Sequence, residues 1–287
     1  MVTRIIIPGL RDLDAPGRVE TVLLATCEAW SVPDRVLLDF TPCRAMTPAG
    51  ASVIALLKLY RNSNQMKTEI DWSTMLPAVR LQLARWRILN LFQGGYLMDA
   101  GRSVPLLVQP SIAPTALVNF LQRWVMPRFN MSAALQKEIR KAFCEVLNNI
   151  FQHAESPVGG IVIGRLYPLA TPRPRLHLCV ADRGVGLVRR VQGASRGLEN
   201  SMAAIQWALK PGNSTRRGPD PPGLGLYLLQ EFVTVNEGSL FISANDTWYH
   251  QVAGAVASGH LASEFPGTLI ELRLYVRDDV SYDISYD

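Results

Sequence analysis

The stretch KEIRKAFCEVLNNIFQHAES, residues 137–156, has the spacing of a helix with one polar and one apolar face. Glu145, Asn149 and His153 recur at intervals of four, which places them on one stripe of a helix. The opposite side must face a core and carries Ile139, Phe143, Val146, Leu147 and Ile150. Taken alone, this polar stripe could equally be a solvent-exposed helix face or a ligand-binding surface.

Two glycine motifs follow this helix along the chain. The apolar strand predicted at 176–181 runs directly into DRGVG at residues 182–186, so a carboxylate and two glycines lie at the end of a strand. A second motif, PGLGL at 222–226, opens a predicted helix, where N–H groups suit a phosphate. Gly267 and Thr268 start the last strand and add a hydroxyl group. Neither glycine motif matches a Walker phosphate loop or a dinucleotide-binding loop.

In chain order the motifs read E-x-x-x-N-x-x-x-H, D-x-G-x-G, G-x-G-L and G-T within residues 134–276. This order resembles the GHKL ATPase superfamily, named for gyrase, the heat-shock chaperone, histidine kinases and MutL. The closer resemblance is to the anti-sigma-factor-kinase type. It implies an α/β (α+β) sandwich that binds ATP and Mg²⁺.

The resemblance also implies a role for each motif residue. Glu145 would hold or deprotonate the attacking water or hydroxyl, and Asn149 would ligate the Mg²⁺ that bridges the phosphates. Asp182 would accept a hydrogen bond from the adenine amino group, and Thr268 would complete the base contacts. The other implied ligand contacts are His153 and Arg216 on the phosphate side, Gly184 and Gly186 beside the base, and Gly223 and Gly225 at phosphate oxygens.

The segment between the glycine motifs, residues 191–222, corresponds to the ATP lid of this superfamily. It is rich in Gly, Ser, Asn, Pro and Arg around one predicted helical piece at 198–209. The stretch PGNSTRRG brings hydroxyl groups and two guanidinium groups, including Arg216, to the expected position of the γ-phosphate. A solvated basic loop is the alternative for any single lid arginine.

Residues 1–105 alternate between predicted strands and helices, which indicates an α/β layer with a partly parallel sheet. The strands are expected at 3–7, 35–40 and 67–72, and the helices at 19–30, 47–60 and 76–92. The segment at 35–61, RVLLDFTPCRAMTPAGASVIALLKLYR, resembles the core of STAS domains, the anti-sigma-factor-antagonist family. Ala49 stands where the phosphorylated serine of those domains would be. An unrelated small α/β domain is the alternative.

These assignments divide the chain into a STAS-like domain at 1–110, a GHKL ATP-binding domain at 111–278 and an acidic tail at 279–287. Hydrophobic residues make up 48% of the 287 and indicate a buried core, while no apolar run has the ~18 residues of a membrane span. The net charge of +5 comes from scattered basic residues, so nucleic acid is not the expected partner. Four cysteines without a C-x-x-C pair predict reduced thiols in a cytoplasmic protein.

Three function classes fit this sequence. The first is an ATP-dependent regulatory switch with weak ATP hydrolysis, which would act on a protein partner. The second is a serine/threonine protein kinase of the anti-sigma-factor type, acting on a separate STAS partner. The third is a nucleotide binder without turnover. Homodimerisation is left open.

Overall fold

The computed structural model describes residues 1–9, 17–94, 103–109, 114–167, 174–195, 197–198, 200–215 and 223–276. Within these ranges the chain forms a three-stranded sheet followed by a five-stranded sheet, both accompanied by helices. The predicted α/β class is therefore confirmed. None of the helices in the described ranges has both the length and the apolar character that crossing a membrane requires.

The N-terminal sheet consists of parallel strands β1 (Val2–Ile6), β2 (Arg35–Asp39) and β3 (Thr68–Ile70), in that order. Helices α1 (Gly17–Thr26) and α2 (Pro48–Ser63) connect the strands, and α3 (Pro77–Arg85) follows β3. At the start of α2 the Thr47 hydroxyl accepts a hydrogen bond from the Gly50 N–H at 3.1 Å. Pro48 occupies the first helical position, where its missing N–H is not needed.

Helix α3 is shorter than the helix predicted at 76–92. It ends at Arg85, and Arg87 adopts a left-handed backbone conformation with φ of 63°. A short 3₁₀ segment, Ile88–Leu91, follows. The apolar spacing continues past Arg85, but the helical backbone does not, so the prediction was wrong at this end.

The second sheet has the order β4-β5-β6-β8-β7, and all neighbouring strands are antiparallel. Its strands are β4 (Ser103–Gln109), β5 (Gly160–Tyr167), β6 (Arg175–Asp182), β7 (Ser239–Val252) and β8 (Ala255–Tyr275). Its helices are α4 (Pro114–Trp124), α5 (Ala133–His153), α6 (Leu187–Ala194), α7 (Ser201–Ala208) and α8 (Gly225–Val235).

Alternate residues of this sheet enter two different cores. Val162, Leu178 and Ile270 pack in one core with helices α4 to α8. Ile161, Cys179 and Leu269 pack in the other core with the N-terminal region. Ala49 of α2 belongs to that second core and is fully buried. The N-terminal region therefore covers the face of the sheet opposite the helices.

Two segments differ from the predicted elements. Helix α6 covers the first part of the segment predicted as a lid loop, and the lid helix α7 is shorter than 198–209. The predicted strands at 239–244 and 268–276 are parts of a longer hairpin, β7–β8, which turns at Ala253 and Gly254. Both turn residues have positive φ, as a tight two-residue hairpin loop requires.

Candidate functional site

A cleft opens between α5, the end of β6, the lid and the start of α8. It encloses about 840 Å³ of empty space, part of which is open solvent. Five of the predicted site residues line it: Glu145, Asp182, Gly186, Gly223 and Thr268. Apolar side chains cover much of the remaining wall, namely Val146, Leu187, Val191, Trp207, Leu226 and Ile270. Such a mixture of apolar walls and a few polar groups is typical of small-molecule sites.

Glu145 lies on α5 where this helix meets the start of α8. One oxygen of its carboxylate, Oε1, accepts a hydrogen bond from the Gly223 N–H at 3.1 Å. A Cβ atom at Gly225 would come within 2.7 Å of the Glu145 Cβ and 3.0 Å of the Ala142 carbonyl oxygen. Glycine at 225 therefore permits the close approach that holds the Glu145 carboxylate beside the N-terminus of α8.

Asp182 ends β6 with a carboxylate that is only 1% exposed. Its Oδ1 accepts a hydrogen bond from the Gly184 N–H at 2.7 Å, while Oδ2 makes no hydrogen bond of normal geometry with any described residue. Burial raises the pKa of Asp182 to about 7, against opposing effects of the Gly184 N–H and of the Thr268 amide and hydroxyl. A buried acceptor at a cleft wall that no described residue satisfies with normal hydrogen-bond geometry suits a ligand that donates a hydrogen bond.

Asn245 fixes the loop after Asp182 and was not predicted. Its Oδ1 accepts from the Arg189 N–H at 3.3 Å, and its Nδ2 donates to the Val185 carbonyl at 3.0 Å. Thr268 assists, because its hydroxyl accepts from the Leu187 N–H at 2.9 Å. No sequence signal marks Asn245, since a lone Asn-Asp pair indicates a turn rather than a support for a loop 60 residues away.

Part of the lid reaches the cleft. Asn213, Ser214 and Thr215 all line it, so the hydroxyl groups of the PGNSTRRG stretch lie at the cleft wall. The Asn213 side chain donates to the Trp207 carbonyl at 2.9 Å and ties this turn to α7. Gly223 has φ of +81° and lies against the Asn213 backbone, where a side chain would collide. Arg216 lies outside the described residues.

The remaining predicted contacts differ in how far the structure describes them. The backbone of Asn149 and His153 belongs to α5, but their side chains lie outside the described residues. Gly184 packs against the Ala154 end of α5, next to the cleft wall rather than in it. Arg190 of α6 and Trp207 of α7 line the cleft and were not predicted. Arg190 also forms an ion pair with Glu155 at 2.9 Å.

Residues 110–237 match the family model of the histidine kinase-like ATPase domain. The matched segment contains Glu145, Asp182 and the lid, and it ends before Thr268. The match and the α/β fold together support a GHKL-type ATPase domain in this part of the chain. No curated protein matches the chain.

Proposed function

We propose that this protein binds Mg-ATP in the cleft and acts as an ATP-dependent regulatory switch with weak ATP hydrolysis. One observation carries the proposal. Buried Asp182, whose Oδ2 has no hydrogen bond of normal geometry with any described residue, and Glu145 beside the start of α8 line the same cleft. Both residues lie within the segment that matches an ATPase family. The acceptor suits the amino group of adenine at one end of ATP, and the N-terminus of a helix suits the phosphates at the other end.

The adenine base is proposed to lie against Asp182. The ionised Oδ2 accepts a hydrogen bond from the exocyclic amino group, a donor that GTP lacks at that position. Thr268 lies beside this carboxylate, and the apolar wall, including Val146 and Ile270, would cover the faces of the base. Gly184 and Gly186 shape the loop that carries Asp182.

The phosphates are proposed to lie at the other end, near the start of α8. The backbone at Gly223 and Gly225 would lie beside the phosphates, with the Gly223 N–H kept by Glu145, and the hydroxyls of Ser214 and Thr215 would donate to phosphate oxygens. Asn149 is the proposed ligand of Mg²⁺, which would neutralise phosphate charge when bound, and His153 and Arg216 would add contacts on that side. Glu145 would orient or deprotonate the attacking water.

The N-terminal region is proposed to be the part that responds to ATP. If it is STAS-like, as its sequence suggests, the position of the phosphoacceptor is filled by Ala49, which has no hydroxyl and is fully buried. Phosphorylation at that position is therefore not part of the proposal. A kinase acting on a separate partner and a binder without turnover are the competing functions.

The test is incubation of the full chain with γ-labelled ATP and Mg²⁺, with and without cell lysate. The switch predicts slow release of labelled phosphate and no labelled protein. A labelled protein in the lysate would favour the kinase instead. Binding without release or transfer would favour the simple binder. Asp182→Asn serves as the control, because it should lower every ATP-dependent signal.

A further inference from the structure

Arg183 follows Asp182 directly but is not among the residues that line the cleft. Its guanidinium lies against two aromatic rings of the N-terminal region. The guanidinium carbon is 3.6 Å from the centroid of the Tyr60 ring and 4.9 Å from that of the Trp30 ring. The contact with Tyr60 is the closest cation–π contact among the described residues. Consecutive residues therefore contact different parts of the molecule.

The rings of Trp30 and Tyr60 lie close together and form the surface on which this guanidinium packs. Their centroids are 5.9 Å apart, and Trp30 is only 6% exposed. The fully buried Arg61 donates hydrogen bonds to the carbonyl oxygens of Ala29 at 2.6 Å and Val32 at 2.7 Å, on either side of Trp30 in the chain. These bonds hold the backbone on both sides of Trp30 within the N-terminal core.

The loop that carries Asp182 is held at several points. On the side of the ATPase-like fold, the Val185 N–H donates to the Ala154 carbonyl at 2.8 Å, and Asn245 bonds to Val185. Arg183 supplies the attachment to the N-terminal region. Because Asp182 and Arg183 are consecutive, the backbone that the Arg183 contact anchors is the backbone that carries the Asp182 carboxylate.

We propose that Arg183 is a positioning residue, through which Trp30 and Tyr60 set the orientation of Asp182 and hence the selectivity of the cleft for adenine. This inference rests on the proposed function for the identity of the ligand. What it adds is that Trp30 and Tyr60, neither of which lines the cleft, determine how well the base is recognised.

The experiment compares the parent with Arg183→Ala, Tyr60→Leu and the double variant. Each single variant is expected to weaken ATP binding about three- to tenfold, the range expected for a half-buried cation–π contact, and to reduce the preference for ATP over GTP. The double variant should lose no more than Arg183→Ala alone, because Arg183→Ala already removes the contact that Tyr60→Leu removes. Arg183→Lys, which keeps a cation over the ring, should recover part of the selectivity.

Arg80→Ala is the matched control, since Arg80 packs on the Trp72 ring at 5.2 Å in the same region but away from this loop. It should leave the preference for ATP over GTP unchanged. A general loss of protein stability would lower the affinities for ATP and GTP equally in all variants, and that result would overturn the positioning role. Unchanged ATP affinity in both Arg183→Ala and Tyr60→Leu would overturn it as well.

Hydrogen exchange of the nucleotide-free protein separates this inference from the proposed function. The amides of residues 184–187 should exchange faster in Arg183→Ala and Tyr60→Leu than in the parent or Arg80→Ala. Equal exchange in all four would refute the anchoring even if ATP binds. A parent that binds no ATP, with exchange that does differ, would refute the proposed function and the selectivity role but leave the anchoring supported.

Discussion

Two carboxylates of the cleft occupy different environments, and this difference suits two different tasks. Glu145 is partly exposed and accepts from the Gly223 N–H next to the start of α8, where a carboxylate is favoured by the helix dipole. Asp182 is buried, and burial raises its pKa to about 7. These environments fit the proposed roles, in which Glu145 would act on water near the phosphates and Asp182 would accept a hydrogen bond from the base.

The raised pKa of Asp182 predicts a pH-dependent affinity for ATP. In the proposed site the ionised carboxylate would accept a hydrogen bond from the adenine amino group, whereas a protonated carboxyl is a weaker acceptor and can direct its O–H donor at the amino group. Because the pKa lies near 7, ATP binding should strengthen by about tenfold between pH 6 and pH 8. Titrations of the parent and Asp182→Asn at several pH values check this, since the titration of the ATP phosphates is common to both. Parallel pH profiles would contradict the assignment.

Replacing Glu145 by Gln should separate binding from turnover. The amide oxygen can still accept from the Gly223 N–H, so ATP affinity should stay within about threefold of the parent. Turnover should fall by about 10²–10⁴-fold, as expected for loss of a general base. Glu138→Gln on the same helix is the control, because Glu138 pairs with Lys141 at 2.7 Å and does not line the cleft. Equal turnover in the parent and Glu145→Gln would remove Glu145 from catalysis.

At the scale of elements, the irregularity of β7 near Asn245 connects the sheet to the loop after Asp182. The pairing of β7 with β8 shifts on both sides of Asn245, which has φ of 54°. Beyond this irregularity the hairpin continues to Val252 and packs Trp248 and Leu261 on the N-terminal core. The bulge thus turns the Asn245 amide toward Val185 and Arg189 without ending the strand.

Asn245→Ala should destabilise the fold by about 1–3 kcal/mol, because the Arg189 N–H and the Val185 carbonyl lose their partner. Asn245→Gly also removes the amide but tolerates positive φ. The difference in unfolding free energy between the Ala and Gly variants therefore gives the contribution of the backbone conformation. Urea unfolding of the parent and both variants measures these differences. If both variants unfold within about 0.5 kcal/mol of the parent, Asn245 does not support the loop.

Local signals in the sequence located several elements well. The Thr47 cap and Pro48 marked the start of α2, and the apolar spacing marked most of α5. The long hairpin could not be predicted in the same way, because Asn245 and Asp246 indicate a turn and only pairing between distant strands keeps β7 extended. Helix α6 was missed for a related reason. Val188 and Val191 form its apolar side, but Val191 was assigned to the lid segment and no element was predicted at 187–190.

The site was predictable as a set of motifs but not as an arrangement. The order of the motifs indicated Glu145, Asp182 and Gly223, and the structure shows that all three line one cleft. The supports could not be foreseen, because the contact of Asn245 with Val185 joins residues 60 positions apart. The cation–π contact of Arg183 with Tyr60 depends likewise on the packing of the N-terminal region against the sheet.

At the scale of the whole molecule, one five-stranded sheet separates two cores. Its helical face carries the cleft, and its other face packs on the N-terminal region. Glu20 of α1 accepts from the Ala262 N–H of the hairpin at 2.8 Å, and Arg183 reaches Tyr60. These are two of the contacts that join the sheet to the N-terminal region, and in the proposed switch such contacts would carry a change at the cleft to that region. ATP can shift this arrangement only if it binds the alternative states with different affinity.

Hydrogen exchange with and without a non-hydrolysable ATP analogue and Mg²⁺ tests the central claim most directly, because it reports on the cleft, the lid and the N-terminal region together. We expect exchange to slow around residues 182–187 and 223–226, in the lid at 200–215, and in the segments of the N-terminal region that contain Trp30 and Tyr60. Protection limited to the cleft, with the lid and N-terminal region unchanged, would contradict the switch, and no protection at any of these segments would contradict ATP binding itself.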